Sequence, residues 1–176
     1  EDWQVRDALL ADLGSHRWPF DYWLEERSQV MRAPIGMYLV PAALGGASQA
    51  GRDWALLAHN AFVLALVFSI GAPLFATARA RIFALVTFVF FSGFDVVGAV
   101  LSESLGAPVN WDHFENWSRF SQYSSHITQL FWVPHHALGG WACVAAYQAW
   151  RVGRMPALLM APVWAASVFW SPLAAA

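Results

Sequence analysis

Lysine is absent from this 176-residue chain; all ten basic residues are arginine. That excludes a Schiff base to retinal or pyridoxal phosphate, and it excludes a phosphate-loop lysine. Cysteine occurs once, as Cys143. An intrachain disulfide and a cysteine-built zinc or iron–sulfur site are therefore excluded too. Charge is scarce: 12% of residues are charged and 58% are hydrophobic. A soluble domain carries roughly twice that charged fraction. The formal net charge of -2 gives no basic footprint for nucleic acid, and the apolar content does not suit a disordered chain. Aromatics are plentiful, with 11 Trp and 13 Phe. This balance is that of an integral membrane protein.

The placement of charge sharpens this. Seven of the twelve acids fall in the first 26 residues: Glu1, Asp2, Asp7, Asp12, Asp21, Glu25 and Glu26. Four later stretches, roughly 54–77, 82–102, 126–150 and 155–176, are almost free of charge. Each reaches the ~20 apolar residues that a spanning helix needs. A shorter run at 33–47 holds Pro34 and Pro41 and reads as re-entrant or as a short span. Arg79 and Arg81 lie two spans before Arg151 and Arg154. Parity puts both pairs on one face, and the positive-inside tendency makes that face cytoplasmic. The loop 103–125 then faces outward, and the N-terminal segment shares that face where 33–47 does not cross. The predicted fold is all-α: a polytopic transmembrane helix bundle over residues 33–176, with an amphipathic, extracytoplasmic interfacial segment over 1–32. The chain begins at Glu1 and ends in an apolar stretch, which reads as an excerpt of a longer polytopic protein.

In the N-terminal segment, Val5, Leu9, Leu10 and Leu13 recur at helical spacing with acids between them. The expectation is a helix lying on the membrane surface, followed by loop. Trp18, Phe20, Tyr22 and Trp23 suit the headgroup level. Glu1 and Asp2, beside Trp3 and Arg6, offer a general base or metal ligands; capping and solvation are the simpler explanation.

Ionisable groups at membrane depth are functional candidates by default. Asp95 is the one charge in 82–101, and Gly93 and Gly98 around it permit a helix break or a close approach. A bridge from Asp95 to Arg119 is the bland alternative to an active-site role. His59 and Asn60 are expected to be satisfied inside the bundle. Further on, Ser125, Gln129, Trp132, His136, Gly140 and Cys143 form one stripe if 126–150 is a continuous helix. Such a stripe has to face protein or a cavity. Pro134 within it would free a backbone carbonyl. Ser124, Thr128 and Gln129 read as helix–helix glue; for His136, site and glue stand level. Asp112, His113 and Glu115 are a candidate set for a divalent metal ion. Six histidines are too few for a membrane desaturase cluster, and no pair of span histidines makes a bis-His haem site.

Several stretches carry a resemblance. Phe91-Ser92-Gly93-Phe94-Asp95-Val96-Val97-Gly98 resembles the "FGGLDxxG" stretch of a family of large, poorly characterised bacterial polytopic membrane proteins. The run from Gln122 to Leu138 resembles their "QYSSNTTLLFWVPQHAL". Glu115-Asn116-Trp117 is similar to the "EWW" before it, Trp170-Ser171-Pro172 to a later "WSP", and Tyr38 to Leu44 to "YYLPPAL". Asp2-Trp3, with Arg6 after it, is similar to the acidic start of their first outer loop. His126 stands for Asn, His135 for Gln and Ser92 for Gly. That family resembles GT-C-type glycosyltransferases, which take sugars from polyprenyl-phosphate donors. The resemblance implies a multi-pass protein of the bacterial cytoplasmic membrane, with a first-loop aspartate, here Asp2, as catalytic base.

On that reading Asp2 takes a proton from an acceptor hydroxyl at the outer membrane–water boundary. Arg6 or Arg119 steadies the leaving lipid phosphate, with a metal at Asp112, His113 and Glu115 as a further aid. Asp95 and His136 are additional catalytic candidates. Gln122, Tyr123, Gln129 and Trp132, with Trp111 and Trp117, line the groove for the lipid-linked sugar. Two rivals stay open. One is a non-catalytic subunit of a membrane complex, its histidines and tryptophans holding a pigment or packing on partner subunits. The other is a transporter component using a broken helix at Gly93–Asp95.

Overall fold

Hydroxyl side chains mark where three of the helices begin. The Ser48 Oγ accepts from the Gly51 N–H at 3.1 Å, the Thr77 Oγ1 from Ala80 at 3.1 Å, and the Ser125 Oγ from Thr128 at 3.1 Å. Each bond satisfies a first-turn N–H that has no partner inside its own helix. The computed structural model describes residues 2–17, 19–24, 26–30, 34–92, 94–118 and 124–172, without the side chains of Asp2, Leu24 and Phe114. Among them are eight α-helices: α1 (Asp2–Ser15), α2 (Gly36–Leu44), α3 (Gln49–Gly71), α4 (Ala78–Val89), α5 (Asp95–Ser104), α6 (His126–Trp132), α7 (Pro134–Arg151) and α8 (Ala157–Trp170). The chain is thus mostly helical.

One element departs from the expected helix-and-loop N-terminus. β1 (Asp21–Leu24) and β2 (Arg27–Val30) form an antiparallel hairpin in which Leu24 faces Arg27. The pattern that hides it is plain: β2 is exposed along its whole length, so it shows no apolar alternation. Its turn residue Glu26 has a φ of 60°, the left-handed geometry that two-residue hairpins need. The Tyr22 hydroxyl donates to Asp12 of α1. Burial and that carboxylate push the phenol up to about 12.

The chain divides into two compact units: residues 1–74 with 138–176, and residues 75–137. In the first, the apolar face of α1 is buried against protein. Leu10 and Leu13 join Met37 and Tyr38 of α2 and Leu56 of α3 in one core cluster, with Leu9, Phe20, Ile35, Leu39, Ala42 and Trp170 around it. Val5, expected on the same face, is exposed. Between α2 and α3 the chain turns so tightly that a Cβ on Gly45 would meet the Arg52 backbone. Arg52 itself is buried, and its guanidinium reaches Ser15 Oγ (3.5 Å) and the Ala47 carbonyl (3.2 Å). α1 has no basic residue in its last turn. Arg52 brings a positive charge to that negative helix end from a different helix.

The second unit holds α4, α5, α6 and the start of α7. The apolar run 82–102 is divided, because α4 ends at Val89 and α5 starts at Asp95. The run 126–150 is divided as well. Val133 leaves helical geometry (φ -137°, ψ 53°), and Pro134 opens a new helix. Proline is favoured at a first helical position, where its missing N–H costs nothing. The continuous stripe from Ser125 to Cys143 therefore does not form, and Pro134 is a helix start, not a kink within one. Among the described residues one helix, Gln49–Leu74 with its closing 3-10 turn, is long and apolar enough to cross a membrane. α8 is apolar but has 14 residues.

Candidate functional site

In the unit of residues 75–137, Ser92, Asp95, Trp117 and His126 make contacts where α4 gives way to α5. Ser92 stands in the left-handed region (φ 61°). Its hydroxyl donates to Asp95 Oδ2 at 2.8 Å. The other carboxylate oxygen of Asp95 accepts from the Trp117 indole N–H at 3.0 Å. The Trp117 ring lies so close over Gly98 that any Cβ there would overlap it. Asp95 thus ties the first turn of α5 to the segment that follows α5, and an acid is also well placed at a helix N-terminus. Arg119, its suggested partner, lies outside the described residues.

Glu115 is buried (7% exposed). One of its oxygens accepts both the Ser125 N–H (3.1 Å) and the Thr128 hydroxyl (2.5 Å). It extends the hydroxyl cap of α6 with a full negative charge. Asp112 and His113 are exposed beside a backbone kink at His113. No group of three metal-ligating side chains occurs among the described residues. The candidate metal set is not assembled, because Glu115 turns inward to cap a helix while Asp112 and His113 face out.

His126 lies between two phenylalanine rings, with centroids at 4.3 Å to Phe88 and 4.6 Å to Phe91. Its Nδ1 donates to the Phe88 carbonyl at 3.0 Å, which fixes that nitrogen as the protonated one. α6 is thereby fastened to the end of α4. The Gln129 amide donates to the Ser124 carbonyl at 2.9 Å. The Thr128 hydroxyl donates to Glu115 of the preceding segment and accepts from Ser125 Oγ. The His136 ring lies against that of His135, tilted by 46° with centroids 4.1 Å apart. Trp132 and Trp111 are half exposed; the Trp111 N–H donates to Glu103 at 3.3 Å. Gln122 and Tyr123 lie outside the described residues.

The other sequence candidates sit in the unit of residues 1–74 and 138–176. Asp2 is the first residue of α1, and its side chain is outside those described. Arg6 stands one turn later, its guanidinium 4.9 Å from the Trp3 ring centroid. Its Nη1 is buried and has no hydrogen-bond partner among the described residues. His59 Nε2 and Asn60 Oδ1 on α3 are in the same state, against the expectation that the bundle would satisfy them. The only prior signal was their type: polar residues in an apolar helix.

No family model, no curated protein and no solved structure matches the chain.

Proposed function

We propose that the chain is a membrane-embedded part of a bacterial GT-C-like transferase that moves a sugar from a polyprenyl-phosphate donor. The observation that carries the membrane placement is the apolar surface. Only 11% of the most apolar window of the helix Gln49–Leu74 is buried. Trp54, Leu57 and Phe62 of α3, Phe83 of α4, Val97 of α5 and Leu158 of α8 are all more than half exposed. In water such patches mark interaction or insertion surfaces; against acyl chains they are at home. On this reading the pieces of 82–102 and 126–150 are broken helices, tolerated at depth where protein covers their open backbone. The cytoplasmic membrane, crossed several times, is the location.

Two features support transfer. Asp2 and Arg6 stand four residues apart on α1, a spacing that puts their positions on one helix face, and the buried Nη1 of Arg6 has no partner among the described residues. Asp2 takes the acceptor's proton and Arg6 steadies the departing lipid phosphate. The full-length membrane protein with Asp2→Asn should lose transfer by at least a hundredfold while keeping its melting temperature. Unchanged turnover in that variant would remove Asp2 as the base.

A second reading, a non-catalytic subunit, has one observation in its favour. Asp95 and Glu115 have carboxylate oxygens committed to helix ends, and the His126 Nδ1 is committed to a carbonyl. The 75–137 unit then acts as a scaffold that holds the lipid-facing helices and any partner subunit.

A further inference from the structure

The β1–β2 hairpin turns one face to α1 and leaves the other uncovered. Side chains along a strand alternate between the two faces. Tyr22 is on the face toward α1: its hydroxyl donates to Asp12, and its ring meets that of Phe20 edge-on at 5.4 Å. Phe20 in turn stacks on His16, just past the end of α1, with centroids 5.0 Å apart. Asp21 and Trp23 therefore lie on the opposite face. The pairing sets Val30 across from Asp21 and Ser28 across from Trp23, so these four residues share that face. All four are exposed, Trp23 to 76% and Val30 to 65%. The Ser28 hydroxyl donates to Asp21 Oδ2 at 2.9 Å. This bond crosses between the strands and fixes the carboxylate about 7 Å along β1 from Trp23.

We propose that this face is a binding platform for a neutral pyranose unit of a glycan, with Trp23 as the stacking ring and Asp21 and Ser28 as the hydroxyl-binding pair. A pyranose with equatorial hydroxyls carries a flat patch of C–H bonds, whose partial positive charge suits the negative face of an indole. Its hydroxyls project from the rim of the ring. There Asp21 Oδ1 can accept one, and Ser28 Oγ, already donating to Asp21, can still accept another. Val30 widens the apolar floor. Charge decides against the rival occupant, a bilayer surface. The Asp21 carboxylate repels phosphate headgroups, and an acid and a hydroxyl are costly against acyl chains. The anchoring of Tyr22 and Phe20 holds the platform in shape before a ligand arrives, which lowers the cost of binding. The platform rests on the sugar-transfer reading for its role, which is to hold the acceptor glycan. Sugar binding itself is read apart from turnover.

The test uses the full-length protein in phosphatidylcholine nanodiscs, because maltoside detergents would compete for the platform. The probe is cellohexaose, followed by saturation-transfer NMR and by titration. It should bind, with the strongest transfer to its ring C–H protons, and its affinity should be the same at low and high salt because the ligand is uncharged. Trp23→Ala should weaken it at least tenfold, Trp23→Phe by less, and Asp21→Ala several-fold, all with little change in melting temperature. Asp2→Asn should bind cellohexaose as tightly as the parent protein, so that loss of transfer and loss of the platform are told apart. Absence of cellohexaose binding, or equal binding by Trp23→Ala, overturns the platform. The bilayer rival is read with Trp23→Cys in a Cys143→Ala background. A membrane-impermeant maleimide should label that cysteine in nanodiscs; protection from the label puts position 23 in the bilayer and overturns the platform too.

Discussion

Ser92 is a non-glycine residue held at positive φ. A left-handed non-glycine residue costs of order 1–3 kcal/mol, and here the cost is offset by the bond from its hydroxyl to Asp95. In the motif that this stretch resembles, glycine stands at the Ser92 position. The departure is thus a trade: backbone ease for a side-chain bond. Two substitutions separate the terms. Ser92→Gly relieves the backbone and loses the bond, so it should be close to neutral. Ser92→Ala keeps the strained φ and loses the bond. It should melt lower than Ser92→Gly, by the equivalent of about 1 kcal/mol in thermal unfolding. If the two variants melt together, backbone strain at Ser92 is negligible.

At the scale of elements, two helix starts are held in place by side chains from outside the helices concerned. α5 starts under the grip of Trp117 on Asp95, and α6 starts over the buried carboxylate of Glu115. Glu115→Gln keeps an acceptor oxygen for both Ser125 and Thr128 and should lose little stability. Glu115→Leu takes the acceptor from the part-buried Ser125 N–H and Thr128 hydroxyl and should cost about 1–3 kcal/mol. Hydrogen exchange would report it as lost protection in the first turn of α6. Equal exchange in the two variants would show that the acid does not cap α6. The sequence made part of this legible. Glycines around Asp95 announced a break, and a break is there. It did not announce the one before Pro134. A proline preceded by an apolar helical pattern reads equally as a kink within one helix and as the start of another. Only the Val133 backbone angles distinguish them. Nor did β2 declare itself, since a strand exposed on both faces carries no alternation.

At the scale of the whole molecule, the exposed apolar residues set the expectation. The protein should remain in the membrane pellet after alkaline carbonate and enter solution only with detergent. Recovery in the carbonate supernatant would remove the membrane placement. Composition alone pointed this way, because so few charges cannot clothe so much apolar sequence. Length was the weaker guide. Charge-free runs of about 20 residues promised four spanning helices, yet the backbone breaks two of them.

What the sequence determined by itself was the helical class, the apolar surface and the short list of polar residues that could matter. Those follow from local terms, namely hydrophobic content, periodicity and the residues that end helices. What only the tertiary structure decided was the state of each polar group. Asp95, read as either a catalytic acid or a structural bridge, and Glu115, read as a metal ligand, turned out to be bound to helix ends. His59 and Asn60, expected to be satisfied inside the bundle, and Arg6, a candidate for the lipid phosphate, each turned out to hold a buried polar atom without a partner among the described residues. Whether a polar group is satisfied depends on residues far away in the chain: Trp117 lies 22 positions from Asp95 and Thr128 lies 13 from Glu115. No local pattern encodes those meetings, because the packing of helices brings them about.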